Sequence, residues 1–410
     1  MAKHGHQDSR RSGFTGAQLA LLVFIGISTL LTLIGLAAYW PPSTAPAINE
    51  SFTANFALNQ DYVPGTVTTV DEGGCPPPND TGCKRNTVAI TGGPNEGIST
   101  QLVTHDVAGE PQLNVGDKIL LTQTATPDGY TYAFGDYQRA IPLAIWGIVV
   151  GLAIIALAAW YGLRSLIGLT YSLGVVVVFL VPALLHGEPA IPLAVTAVSA
   201  IIIVSVPLVH GLNWKSASAL SGTLLSILVT AVLATWAIGT TNLRGLGDDE
   251  NLNLVLYLPE VQILGVMLCG FIIGAVGGLN DVTVAQASTV QELSAADPGA
   301  RPWSLFTSAM KVGRDHVSSM TYTLVLTYTG TALPMLLLQS VSSRSAGLIL
   351  TGDQVATELL RSGTGALAIV CAVPLTTFIA ALVIPARKKS LHYDKSKQWL
   401  NHAQRTTHSE

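Results

Sequence analysis

Long apolar runs dominate the chain. Eight of them, residues 17–40, 140–161, 166–185, 190–209, 217–238, 260–279, 317–340 and 365–384, carry the roughly 20 mainly apolar residues that an α-helix needs to cross a bilayer. A soluble protein could bury one such run as a core helix, but eight predict a polytopic membrane protein. Only His186-Gly187-Glu188-Pro189 separates the third run from the fourth, which predicts a tight helical hairpin. The first run is far longer than the roughly 7–15-residue apolar core of a signal peptide, and it reads as an uncleaved anchor.

The pattern changes between the first two runs. Residues 41–139 alternate apolar and polar positions in short bursts, Thr66–Val70, Asn86–Ile90, Gln101–Thr104 and Lys118–Thr122, divided by Gly, Pro and Asn clusters. This is the period of antiparallel strands joined by tight turns, and Val115-Gly116-Asp117 is a turn signal directly before a strand. The expected fold class is an α-helical integral membrane protein with eight transmembrane helices. A small extracytoplasmic all-β domain, a barrel or sandwich of about five or six strands, lies between helices 1 and 2. Cys75 and Cys83 fall in a Pro- and Gly-rich stretch of that domain. A disulfide is expected there, with two free thiols or half of a metal site as rivals, and no further cysteine lies close enough to complete a four-ligand zinc site. Cys269 and Cys371, inside apolar runs, read as small buried hydrophobes.

Charge sets the orientation. Only 11% of the 410 residues are charged, against about 25% in soluble domains. No basic, aromatic-interleaved stretch of the nucleic-acid-binding kind is present. Cytoplasmic loops collect Lys and Arg. With Lys3, Arg10 and Arg11 inside, eight passes also put Arg164, Lys215, the loop holding Arg301, Lys311 and Arg314, and the basic tail from Arg387 inside. The division expected is a cytoplasmic tail (1–16), helix 1 (17–40), the β domain (41–139), a seven-helix membrane domain (140–385) and a cytoplasmic tail (386–410). Residues Gly352–Ser362 read as an amphipathic helix lying along the outer surface.

The sixth and seventh runs hold the polar residues that need a partner or a task at membrane depth. Gly270, Gly274 and Gly278 recur every four residues and permit close helix packing. Gly277 and Gly278 together either break the helix, freeing backbone groups beside Asn280 and Asp281, or leave it continuous. In a continuous helix Asn280 and Thr283 share a face, and Gln286 reaches either side. Asp281 lines a cavity in one reading and marks the membrane boundary in the other. On the seventh helix His316, Ser319 and Thr323 form a hydroxyl-rich stripe, with Asp315 one step round, and Arg314-Asp315-His316 stand at its mouth. A stripe of hydroxyls can also bond its own helix, and His316 can be a satisfied polar residue as readily as a relay.

The run Gly277-Gly278-Leu279-Asn280-Asp281-Val282-Thr283-Val284-Ala285-Gln286, followed by Gly313-Arg314-Asp315-His316 and the Leu/Thr/Tyr-rich helix to Leu333-Pro334, resembles the YibE/F-like family of bacterial multipass membrane proteins over roughly residues 140–385. The resemblance implies a bacterial plasma-membrane location and supplies no activity. From the residues themselves, the expected function is a permease or secondary transporter that moves a small ion or polar solute between helices 6 and 7. Asp281 would carry the charge, Asn280, Thr283 and Gln286 would orient the solute, and Asp315 and His316 would gate it with Ser319 and Thr323. The alternative is a non-transporting envelope sensor or assembly scaffold whose β domain binds a partner. No nucleophile elbow, His-Glu-x-x-His or P-loop occurs, so neither an enzyme nor a bound cofactor is expected. The partners expected are the lipid bilayer, a small solute, and a second copy or a separate subunit.

Overall fold

The computed structural model describes residues 14–49, 61–72, 82–127, 129–247 and 249–384. The chain divides into two compact units, residues 48–163 and residues 1–47 with 164–410.

The first unit holds five antiparallel strands, β1 (Asp61–Glu72), β2 (Cys83–Ile90), β3 (Ser99–His105), β4 (Lys118–Thr126) and β5 (Gly129–Tyr137), in the order β3-β2-β1-β4-β5. Alternation sends Val63, Val67, Val88, Ile90, Ile119 and Leu121 to one face, where they meet Leu102 and Leu113. The outer strands β3 and β5 approach each other, so the sheet curls as a half-barrel. All four alternating bursts lie in β1 to β4. The fifth strand, Gly-Tyr-Thr-Tyr-Ala-Phe-Gly-Asp-Tyr, gave no such signal because its side chains sit half-buried or exposed on both faces. Gly116 takes φ +94° in the turn before β4, and its N–H donates to the Val67 carbonyl at 2.8 Å. Cys83 is disulfide-bonded, whereas Cys269 and Cys371 are free thiols. Cys75 lies outside the described residues.

Two carboxylates tie down the edges of this sheet. Glu110 accepts from the His105 backbone N–H, and this bond holds its carboxyl below the ordinary range. Asp136 accepts from Arg139 at 2.6 Å, which lowers it in the same way. A carboxyl depressed by folding contributes stability above its unfolded value, about 4, and loses that contribution as pH falls through the folded value. The melting temperature of the sheet, followed by circular dichroism, should therefore fall below about pH 4, and less steeply in Glu110→Gln and Asp136→Asn. Identical acid profiles in wild type and variants would contradict this.

The remaining chain is helical: α1 (Gly16–Ala38), α2 (Ala140–Leu185), α3 (Ala190–His210), α4 (Trp214–Thr241), α5 (Asp249–Tyr257), α6 (Ile263–Ala296), α7 (Pro302–Thr331), α8 (Leu333–Ser340), α9 (Ala346–Leu350) and α10 (Asp353–Val383). Among the described residues six helices are long and apolar enough to cross a membrane, or seven if α7 and α8, bent by 65°, form one span. The expected second and third spans lie together in the 46-residue α2, interrupted only at Ala159 (φ 47°, ψ −124°). The residues between them are themselves helical. At the expected hairpin, α2 stops at Leu185 and α3 starts at Ala190.

One open alternative is resolved and two local expectations are corrected. Of the two readings of Gly277-Gly278 the continuous one holds, because α6 runs unbroken from Ile263 to Ala296. Glycine weakens a helix by only about 1 kcal/mol, and the buried face of α6 outweighs that. The seventh helix starts at Pro302, where proline fits the first turn, so Arg314, Asp315 and His316 lie inside α7 and not at its mouth. Residues 353–362 are the first turns of α10, not a separate surface helix. Their charged groups have partners within the fold: Asp353 accepts from the Arg244 and Leu246 N–H groups at 3.1 Å each, and Glu358 pairs with Arg361 at 2.7 Å. Polarity therefore did not end the helix.

In this second unit α4, α6 and α10 pack on one another, α7 packs on α6 and α10, and α1 packs on α3. Leu193, Ala197, Ile227 and Ile272 anchor one buried cluster, and Leu279, Ala368, Ile369 and Ala372 another.

Candidate functional site

The centre of the α4–α6–α10 contact is polar. On α4, Ser218, Ser221, Thr223, Ser226 and Thr230 are all fully buried. Spaced two to four residues apart, they put small hydroxyl side chains on the packed side of the helix, where backbones approach closely. The helix begins with Asn213, whose side-chain oxygen accepts from the Ser216 N–H at 2.9 Å. Most of these hydroxyls bond back to their own helix: Thr223 to the Ala219 carbonyl at 2.9 Å, Ser226 to Gly222 at 2.7 Å and Thr230 to Ser226 at 2.7 Å.

Helix α6 contributes Thr283 and Gln286, both fully buried. The Thr283 and Thr223 hydroxyl oxygens are 2.6 Å apart. On α10 the Thr377 hydroxyl lies 3.0 Å from Gln286 Oε1 and 2.6 Å from the Val373 carbonyl, and its single proton serves one of them at a time. Thr376, one residue earlier, fits into the space left by Gly222, where a Cβ would overlap its hydroxyl. Gly313 of α7 closes the side: a Cβ there would stand 2.6 Å from Val373 and 2.9 Å from Gln286 Nε2.

This seam carries no charge but leaves hydrogen-bonding capacity unused. Ser221 Oγ, Asn280 Oδ1, Gln286 Nε2 and Thr376 Oγ1 are buried without a hydrogen-bond partner. A buried polar atom left unmatched costs about 1–3 kcal/mol, and such atoms in native proteins are matched by water or a ligand. These four atoms lie on α4, α6 and α10.

The expected site residues divide between this seam and the surface. Thr283 and Gln286 lie in the seam, and Asn280 is half-buried with its side-chain oxygen unmatched. Asp281 is exposed on the adjacent face of α6. Its electrostatic neighbour is His210, the last residue of α3, which also senses Lys215 at the start of α4. Asp315, Ser319 and Thr323 are exposed on α7, and His316 is half-buried. Thr323 bonds the Ser319 carbonyl at 3.2 Å, so this part of the stripe satisfies itself. Among the described residues no hydrogen bond or ion pair joins Asp281 to His316. The glycines of α6 receive side chains from the neighbouring helices: Gly270 faces Arg361, Gly274 leaves room for the Tyr328 hydroxyl, and Gly278 packs on Ile369.

Sequence reasoning missed Ser221, Thr223, Thr376 and Thr377. The signal was available, since α4 repeats hydroxyl residues at the spacing that drew attention to α7. Among the described residues no group of three His, Cys, Asp or Glu side chains converges as a metal site.

A family model described as YibE/F-like protein matches residues 146–386, more than half of the chain, from within α2 to the end of α10. No curated protein and no solved structure matches it.

Proposed function

The chain belongs to the YibE/F-like family, and on that premise we propose that it is a permease or secondary transporter passing a small ion or polar solute along the seam between α4, α6 and α10. The observation that carries this reading is the set of four unmatched buried polar atoms on those helices. Thr283, Gln286 and Thr377 orient the solute, and Asn280 leads from the seam to Asp281. The charged approach to the seam is then Asp281 with His210 and Lys215, in place of the α6–α7 path through His316. We place the protein in a bacterial plasma membrane with both termini cytoplasmic. At 1.5 Å per residue the two helical pieces of α2, on either side of Ala159, rise about 28 Å and about 39 Å, each near or above the roughly 30 Å hydrocarbon layer. Two passes by α2 and one by α7–α8 give eight.

One observation favours a non-transporting scaffold instead. Gly222 and Gly313 bring the seam to contact distance, so its hydroxyls also serve as interhelical glue. Purified protein in pyranine-loaded liposomes under proton, Na⁺ or K⁺ gradients separates the two. Transport predicts protein-dependent dissipation of one gradient, reduced at least tenfold in Gln286→Leu. No dissipation, or equal dissipation in that variant, leaves the scaffold.

A further inference from the structure

The outward side of α7 is polar at the depth of the hydrocarbon layer. We infer that it is an interface with a second copy of the chain, a two-fold dimer in which Arg314 of each copy pairs with Asp315 of the other.

Neighbouring side chains fix the depth. Leu305 of α7 clusters with Ala380 and Ala381 of α10, a Cβ on Gly313 would stand 2.6 Å from Val373, and one on Gly365 would stand 2.7 Å from Leu324. The two helices are therefore antiparallel, and α7 from Gly313 to Leu324 runs beside α10 from Val373 to Gly365. Residues 365–384 carry no charged side chain. From Val373 to the end of α10 at Val383 the helix rises about 15 Å, half of the roughly 30 Å hydrocarbon layer. Gly313 and Leu324 are buried on the packed side of α7. At about 100° per residue, Arg314, Asp315, Ser318, Ser319 and Tyr322 fall on the opposite half, and all of them are exposed.

Charges at this depth pair with one another or line water. Among the described residues neither Arg314 nor Asp315 has an ion-pair partner. The hydroxyls demand less, since Ser318 bonds the Arg314 carbonyl at 3.2 Å. Arg314 and Lys311, a turn nearer the cytoplasm, have stems long enough to snorkel toward the headgroups, but Asp315 does not. Its carboxylate needs a cation brought to it.

A second copy supplies one. The face carries both signs, with Arg314 on one flank of Ser318 and Asp315 on the other. A two-fold axis along the bilayer normal sets α7 parallel to its copy and lays each flank against the opposite flank of the other helix. Arg314 and Asp315 then meet twice at nearly equal depth, and the small Ser318 and Ser319 let the helices approach closely. The contact needs the bilayer but no solute, so it can fail while the seam still conducts.

The test is single-molecule photobleaching of labelled full-length chain in liposomes over a series of protein-to-lipid ratios. A dimer is expected. Its dissociation constant should rise at least tenfold in Arg314→Asp and in Asp315→Arg, and return to within about threefold of wild type in the double exchange Arg314→Asp/Asp315→Arg. In a Cys269→Ala/Cys371→Ala background, oxidation of Ser318→Cys should join two chains, whereas Leu228→Cys, exposed on α4, should not. Monomer at every ratio, a double exchange no tighter than either single variant, or as much joined product from Leu228→Cys as from Ser318→Cys would overturn the inference.

Discussion

Gly222→Leu is expected to abolish folding of the helical unit, seen as loss of monodisperse protein in detergent. A Cβ at this position would overlap the Thr376 hydroxyl and come within 2.8 Å of Thr376 Cβ. Thr376 cannot swing aside cheaply, because it is fully buried and borne by a helix packed along both α4 and α6. Overpacking a core typically costs about 1–3 kcal/mol, and more when backbone must move. A whole leucine requires α4 and α10 to separate, which also parts Thr223 from Thr283 and Thr377 from Gln286. Gly222→Ala should give a smaller loss, of order 1–3 kcal/mol. Gly239 is the control on the same helix: nothing lies within 4 Å of its virtual Cβ. There Gly→Ala should stabilise by up to about 1 kcal/mol through helix propensity alone. If Gly222→Leu purified and melted like wild type, the close α4–α10 approach would be wrong.

How much of this was legible in the sequence follows from what each signal measures. Apolar run length reports where the chain must be helical in lipid, and all eight runs lie mainly in helices. It does not report where a helix ends, because polar residues with local partners do not terminate one. Asp353, Glu358 and Arg361 looked like a surface helix for that reason, and Pro302 looked like loop although it starts α7. The β domain was read from alternation, which works where one face is buried. It missed β5, whose tyrosines leave neither face clearly apolar.

The buried polar seam was half legible for a related reason. Periodicity grouped Asn280 with Thr283 and placed Gln286 within reach, and the fold buries Thr283 and Gln286 in one seam. Periodicity along one helix cannot name the helix opposite. The partner of Gln286 is Thr377, 91 residues away, and that of Thr283 is Thr223, 60 residues away. On α7, as on α4, several hydroxyls bond carbonyls four residues back, so regular spacing does not by itself mark a shared lining.

The Arg361–Glu358 pair should show strong non-additivity in stability. Arg361→Met removes the cation from Glu358 and from two aromatic faces at once. Breaking a buried pair costs about 3–5 kcal/mol, and the quarter exposure of both side chains reduces that to about 2–3 kcal/mol. Glu358→Leu should lose less, about 1–2 kcal/mol, because Phe271 and Tyr328 still stabilise the guanidinium. The double variant Arg361→Met/Glu358→Leu should return to within about 1 kcal/mol of wild type, since apolar replacement of a whole pair is often neutral. Chemical denaturation in detergent measures all four corners of the cycle. A coupling of at least about 2 kcal/mol would show that the two side chains stabilise each other, and a near-neutral double variant would show that the pair as a whole adds little to stability. Additive single effects would mean that the two side chains do not sense each other.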